Sequence, residues 1–116
     1  AIDKMAHDMA VDFRPHKVAV ISLWMGLLLT ERTQQVFDAE PDKYADLVAT
    51  AEHPEFSGRV IAALWADPDR MAHTGTVCIG AELGEAYGVK DINGNQPPSH
   101  RAFFGPPTTF GDAVVE

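Results

Sequence analysis

The side chains best suited to bind a metal or to carry a proton at neutral pH are five histidines and one cysteine, scattered along the chain. They lack the His-x-x-x-His or Cys-His spacing that would bring two ligands to one face of an element. The sequence therefore predicts no metal site, and solvated or locally hydrogen-bonded rings are expected at His7, His16, His53, His73 and His100.

Cys78 is the single cysteine and lies in an apolar run, which predicts a buried, unreactive thiol and no internal disulfide. The longest apolar run, residues 18–29, is interrupted by Ser22 and Gly26 and is too short to span a bilayer. We also recognise no targeting segment. These features predict a cytoplasmic protein without a membrane partner.

The charge balance argues against nucleic acid as a partner. Nine Lys and Arg against seventeen Asp and Glu give a net charge of −8, and no stretch gathers the basic residues into a stripe that could neutralise phosphates. A length of 116 residues with 46% apolar and 22% charged residues is typical of one modest globular domain or part of one.

Two segments near the start of the chain have clear periodicity. Apolar residues recur at helical spacing over residues 1–14 until Pro15, which predicts an amphipathic helix. Residues 18–24 are almost all apolar and rich in β-branched types, which predicts a strand buried on both faces of a parallel sheet. Because the helical pattern begins at Ala1 without an N-cap residue, we expect further chain before it.

The other predicted elements alternate in the manner of an α/β fold. They are two short helices within 30–51 with a bend at 40–42, a crossover helix from Pro54 to Asp67, a strand at 76–79, a helical turn or two at 81–87 ended by Gly88, and an irregular Pro- and Gly-containing tail at 91–116. Two parallel strands cannot bury both faces, so further strands must come from elsewhere.

Three segments in order resemble the second half of a short-chain dehydrogenase/reductase over residues 1–90. The run from Ala1-Ile2-Asp3-Lys4-Met5 to Val18-Ala19-Val20 is similar to the stretch after the family's Tyr-x-x-x-Lys motif. Met25-Gly26-Leu27-Leu28-Leu29-Thr30 resembles its Pro-Gly-x-x-x-Thr segment. The last helix and strand are matched by Pro54-Glu55-Phe56, Gly58-Arg59-Val60-Ile61 and Thr74-Gly75.

Features outside those segments resemble the branch of the family called dehydrogenase/reductase family member 1. They are Ser22-Leu23-Trp24 before the glycine, and Ala81-Glu82 with Tyr87-Gly88 after the last strand. One departure is Met25, which stands where the family usually has Pro, so this turn lacks the fixed φ that Pro would impose.

The resemblance implies the carboxy-terminal portion of a Rossmann-like, doubly wound parallel sheet in an NAD- or NADP-dependent oxidoreductase acting on a carbonyl or alcohol substrate. It also implies a homodimer or homotetramer, and a substrate lid around 31–51. The family's glycine-rich fingerprint and catalytic Ser, Tyr and Lys are absent here and would lie before Ala1. Tyr44 and Tyr87 lack a Lys four residues later, so we assign no catalytic residue.

By the same resemblance, the backbone at Met25, Gly26 and Leu28 and the hydroxyl of Thr30 would meet the nicotinamide. Each assignment has a simpler alternative. Thr30 could be the N-cap of the next helix, and Gly26 could be only a turn glycine. Trp24 is better explained as core than as substrate wall, and 31–51 could be an ordinary pair of surface helices.

Two other function classes remain open from the sequence. The chain could be an interaction module that needs a partner half or a second copy to cover its sheet edge and helix face. It could also be part of a catalytically dead homologue that keeps nucleotide binding for structure or sensing. The sequence upstream would separate these possibilities from an active dehydrogenase.

Overall fold

The computed structural model describes residues 1–107 and 109–111 and shows a small α/β arrangement. The elements in chain order are α1 (Ile2–Phe13), β1 (Ser22–Trp24), α2 (Glu31–Ala39), α3 (Pro41–Thr50), α4 (Pro54–Ala66), β2 (Val77–Ile79), α5 (Gly80–Tyr87) and α6 (Arg101–Phe104). Short 3₁₀ turns follow α1 at Arg14–His16 and precede β2 at Arg70–His73.

The two strands pair in parallel, with Ser22 opposite Val77 and Trp24 opposite Ile79. The chain passes from β1 to β2 through three helices, the long connection that parallel pairing requires. The predicted α/β class, as a portion of a Rossmann-like sheet, is confirmed. Within the described residues β1 has no strand along its second edge.

The first strand is shorter and less buried than the sequence predicted. Regular pairing covers only Ser22–Trp24 rather than residues 18–24, and the Val18 side chain is 46% exposed. A strand of a parallel sheet is buried on both faces only where neighbouring strands and helices cover it. The described residues supply one neighbouring strand, so the prediction of two-sided burial fails for this chain by itself.

The core lies where α4 packs against α5. Phe56, Val60 and Leu83 form its buried centre, and residues of both strands, including Cys78, pack around it. Cys78, predicted to be buried, is half-buried where it packs against this core. Gly84 lies directly against Phe56, because a Cβ built on Gly84 would be 2.7 Å from Phe56 Cζ.

Helix α1 turns its small residues inward and its large ones outward. Ala6 and Ala10 are buried, and a Cβ built on Gly75 before β2 would lie 3.3 Å from the Ala10 Cβ. The apolar stripe that predicted this helix stays largely exposed at Ile2 (71%), Met5 (56%), Met9 (40%) and Phe13 (39%). The described residues therefore cover the Met9 and Phe13 end of the stripe only in part and leave most of Ile2 and Met5 exposed.

The segment after α5 is less irregular than predicted. Gly88 ends α5 in the left-handed conformation, with φ of 67°, as the sequence indicated. A tight turn follows, in which the Gly94 N–H donates to the Asp91 carbonyl and the Asp91 N–H to the Asn95 carbonyl. The four-residue helix α6 then forms within the predicted tail.

We predict that Gly84→Ala destabilises the fold, because the added methyl group would overlap the Phe56 ring and rigid core packing must shift to admit it. Overpacking of this kind costs about 1–3 kcal/mol. The matched control is Gly58→Ala in α4, where the new Cβ meets nothing within 4 Å and should stabilise the helix by about 0.5–1 kcal/mol. Urea unfolding monitored by circular dichroism measures both changes. Equal stability of the two variants would contradict the prediction.

Candidate functional site

The carboxyl end of β1 leads into residues 25–29, which run beside the chain that enters α4. The Glu52 N–H donates to the Leu27 carbonyl and the Leu29 N–H donates to the Glu52 carbonyl, both at 2.8 Å. This is a parallel bridge between Leu28 and Glu52. In such a bridge the N–H and C=O of Leu28 itself point away from Glu52. The backbone of Leu28 is therefore turned toward the opposite side of the segment.

The Glu52 side chain lies against Gly26. Glu52 is only 2% exposed, and the Gly26 N–H donates to its Oε1 at 3.2 Å. A Cβ on Gly26 would lie 2.8 Å from Glu52 Oε2, although the φ of Gly26 is outside the left-handed region. Close approach, rather than a turn conformation, is what requires glycine here.

Burial raises the pKa of the Glu52 carboxyl, and the negative charge of Asp91 adds to the effect. The hydrogen bond from Gly26 and the positive field of His100 act in the opposite direction but are smaller. Because the pKa of this carboxylic acid is higher in the folded state than in the unfolded one, ionisation as pH rises costs folding free energy. Glu52 is thus held by packing and hydrogen bonding at an electrostatic cost.

Asp91 joins the turn after α5 to the start of α4. Its carboxylate, with 1% side-chain exposure, accepts the backbone N–H of His53 at 2.9 Å and contacts His53 Nδ1 at 3.0 Å. It also accepts the N–H of Ile92 at 2.7 Å. Burial would raise the pKa of Asp91, but these hydrogen bonds outweigh burial and lower it.

Glu82, in the first turn of α5, holds part of the tail against the same end of the sheet through hydrogen bonds. Ser99 Oγ donates to Glu82 at 2.6 Å, and the Arg101 guanidinium donates to both Glu82 oxygens at 3.0 and 2.8 Å. These contacts lower the pKa of Glu82, with Arg101 the larger cause. They place His100 near Gly26, where a glycine Cβ would be 3.6 Å from His100 Cδ2.

The structure separates the four residues that the sequence singled out for cofactor binding. Gly26 and Leu28 are half-buried beside Glu52, whereas Met25 and Thr30 are exposed. The N-cap alternative for Thr30 is confirmed: its Oγ1 accepts the Thr33 N–H at 3.3 Å. A contact between Thr30 and a cofactor stays a prediction.

Three neighbouring groups were missed at the sequence level: Glu52, Asp91 and His100. They come from separate segments, and none of them belongs to a local motif. The glycine at position 26 was the one signal present, since glycine after a buried strand can mark a close approach by another group.

Trp24 and the two tyrosines have structural roles. Trp24 is half-buried and donates from Nε1 to both carboxylate oxygens of Asp3, at 3.1 and 3.3 Å. The Tyr87 hydroxyl donates to Asp67 Oδ2 at 2.6 Å, a bond that raises the pKa of Tyr87 to about 12. The Tyr44 ring packs on Phe37, with centroids 5.3 Å apart. The Tyr87 hydroxyl is thus held by Asp67, and the Tyr44 ring by its packing on Phe37.

Helices α2 and α3 form the predicted pair around a bend, joined through Phe37 and Tyr44. Val36 and Leu47 are each 48% exposed. Among the described residues, no group of three or more His, Cys, Asp or Glu could hold a metal ion. In the same part of the chain, no helix has the length and apolar character needed to cross a bilayer.

Comparison with known proteins supports the resemblance noted in the sequence. No family model matches the chain. The mouse protein "Dehydrogenase/reductase SDR family member 1" is 37% identical over 102 residues, and the human protein of the same name is 32% identical over 101 residues. Each match covers 81% of this chain and 32% of the relative, so the chain spans about a third of the length of these curated relatives.

We predict that Asp91→Asn destabilises the protein at neutral pH by about 1–3 kcal/mol, because charge-assisted hydrogen bonds to His53 and Ile92 are weakened. The lowered pKa of Asp91 stabilises the fold above its unfolded value of 3.8, and this contribution is lost as pH falls through the folded value. The variant should therefore lose stability less steeply under acid. Urea unfolding from pH 2 to 7 tests this, with exposed Asp46→Asn as control. An acid dependence as steep as in wild type would refute it.

Proposed function

We propose, from the kinship of this chain with the short-chain dehydrogenase/reductases, that it supplies one wall of the NAD(P) site in an oxidoreductase of that family. The intact protein would transfer a hydride between the nicotinamide and a carbonyl or alcohol substrate. The curated relatives carry the dehydrogenase/reductase name, which supports the reaction class. The catalytic Ser, Tyr and Lys and the glycine-rich fingerprint would lie upstream of this chain.

The observation that carries the proposal is the geometry of residues 25–30. They leave the carboxyl end of a strand in a parallel sheet, which is where open α/β sheets bind their ligands. The Leu28 N–H and C=O face away from Glu52, and neither makes a hydrogen bond within the described residues. An amide such as the nicotinamide carboxamide needs one donor and one acceptor of this kind.

The bound cofactor would supply the hydride, and the residues of this chain would orient its nicotinamide. The Gly26 N–H already donates to Glu52. The groups of this turn that could contact the nicotinamide are therefore the Gly26 carbonyl and the backbone of Met25 and Leu28. The Thr30 hydroxyl could serve a cofactor while capping α2, because an oxygen that accepts the Thr33 N–H can still donate its own hydrogen. Helices α2 and α3 would then form the lid over the substrate.

The exposed apolar surfaces support the need for further structure. The unpaired edge of β1 and the exposed stripe of α1 would bury against additional strands and helices of the sheet. Part of the same surface would also serve a homodimer or homotetramer. We also propose that the protein is located in the cytoplasm.

The alternative of a separate interaction module rests on the same exposed surfaces, and a mass measurement distinguishes it. An intact mass of the cellular protein about three times 12.6 kDa, as the length of the curated relatives implies, would support the oxidoreductase. A mass of 12.6 kDa would favour a module that requires a partner. A longer protein lacking the upstream Tyr or Lys would be the nucleotide-binding homologue without catalysis.

We predict that Thr30→Ala in the intact enzyme raises the dissociation constant of NAD(P)H about tenfold, as loss of one hydrogen bond to a cofactor would. The measurement is quenching or enhancement of nicotinamide fluorescence on titration. Because Thr30→Ala also removes the cap of α2, two further variants separate the roles. Thr30→Ser keeps cap and hydroxyl and should bind normally. Thr30→Asp keeps the cap but has no hydrogen to donate when ionised, and it should bind weakly.

Normal binding by Thr30→Asp would assign Thr30 to the cap and remove it from the cofactor site. Wild-type protein that binds neither NADH nor NADPH would overturn the proposed function itself.

A further inference from the structure

We infer that Glu52 is a positioning residue for residues 25–30, which form the proposed nicotinamide wall. Its buried carboxylate and its backbone together hold residues 26–29 in the conformation that presents Leu28 to the cofactor. The inference rests on the function proposed above and names a residue for it outside the Met25–Thr30 segment.

Three hydrogen bonds connect Glu52 to this segment at successive points. Its carboxylate accepts the Gly26 N–H, its N–H donates to the Leu27 carbonyl, and its carbonyl accepts the Leu29 N–H. The N–H and C=O of Leu28 point to the other side of the segment. A single residue therefore determines which groups of the segment face a ligand.

The contact with Gly26 is specific in shape. A methyl group at position 26 would come within 2.8 Å of Oε2 and 3.1 Å of Cδ of Glu52. The glutamate is 2% exposed, so it has little room to withdraw. A side chain at position 26 would therefore require the Glu52 carboxylate to move away from the turn.

Glu52 is itself held in place by the core. The next residue, His53, is the N-cap of α4 and donates its backbone N–H to buried Asp91, and Phe56 one turn later is fully buried. The position of Glu52 is therefore fixed by α4 and by the turn at Asp91. In the described part of the chain, the hydrogen bonds from residues 25–29 to other segments all go to Glu52.

Burial of an ionisable carboxyl group that donates to no protein acceptor is costly for folding. Such a group is expected where it serves a site rather than stability. A glutamine at position 52 could accept the Gly26 N–H through its amide oxygen with nearly the same shape. An alanine could not, although its backbone would still pair with Leu27 and Leu29.

The test compares Glu52→Ala, Glu52→Gln and the matched control Glu55→Ala, which alters an exposed glutamate three residues away in the first turn of α4. In the intact protein, Glu52→Ala should raise the KM and the dissociation constant for NAD(P)H about tenfold, since small displacements of positioning groups have effects of that order or larger. The kcat at saturating cofactor should change much less. Glu52→Gln should restore most of the binding, and Glu55→Ala should match wild type.

A double-mutant cycle with Gly26→Ala provides a second readout that does not depend on the cofactor. Gly26→Ala should lower the thermal midpoint in the wild-type background and much less in the Glu52→Ala background, because the carboxylate that the methyl group would strike is gone. Additive effects of the two substitutions would show that the contact does not hold the turn and would overturn the inference.

The outcomes also separate this inference from the function on which it rests. Wild-type protein that binds NAD(P)H, with unchanged binding in Glu52→Ala, would overturn the role of Glu52 and leave the oxidoreductase proposal standing. Wild-type protein that binds neither cofactor would overturn the proposed function, and with it a nicotinamide wall of any kind. Weak binding by Glu52→Ala with rescue by Glu52→Gln supports both.

Discussion

The contact between α4 and α5 at Phe56 is the constraint on which the rest of the structure depends. Phe56 is fully buried, and Gly84 lets α5 approach its ring. Because α5 begins directly after β2, this contact also fixes where the second strand lies. Because Glu52 and His53 lead into α4, the same contact fixes the groups beside the carboxyl end of β1. Core packing and site geometry are therefore consequences of one helix pair.

Two buried carboxylates at this end of the sheet have pKa values that their surroundings shift in opposite directions. Asp91 accepts several N–H groups, which lower its pKa against the effect of burial. Glu52 accepts one N–H from Gly26, and burial prevails and raises its pKa. Asp91 thus stabilises the fold above acid pH, whereas ionised Glu52 costs folding free energy. Asp91 therefore stabilises the fold, and Glu52 fits the positioning role inferred above.

The segment after α5 contributes more than its composition suggests. Glu82 holds Ser99 and Arg101 with short hydrogen bonds, and this brings His100 beside the turn at Gly26. Among the described residues, the stripe of α1 is partly exposed and no strand pairs with the second edge of β1. The well-packed part of this region is therefore the carboxyl end of β1, where Gly26, Glu52 and His100 lie close together.

The sequence by itself determined the α/β class, the order of the main elements and the resemblance to a family, because these depend on local periodicity, on Pro54 and Gly88 at helix ends, and on motifs that are contiguous in the chain. It also marked Thr30 as a helix cap, a local contact with Thr33. Only the tertiary structure decided that β1 is short and half-covered and that Ala6 and Ala10 form the inner face of α1. It alone brought Glu52 and His100 to Gly26 and Asp91 to His53, because those contacts join residues far apart in the chain and leave no periodic trace in it.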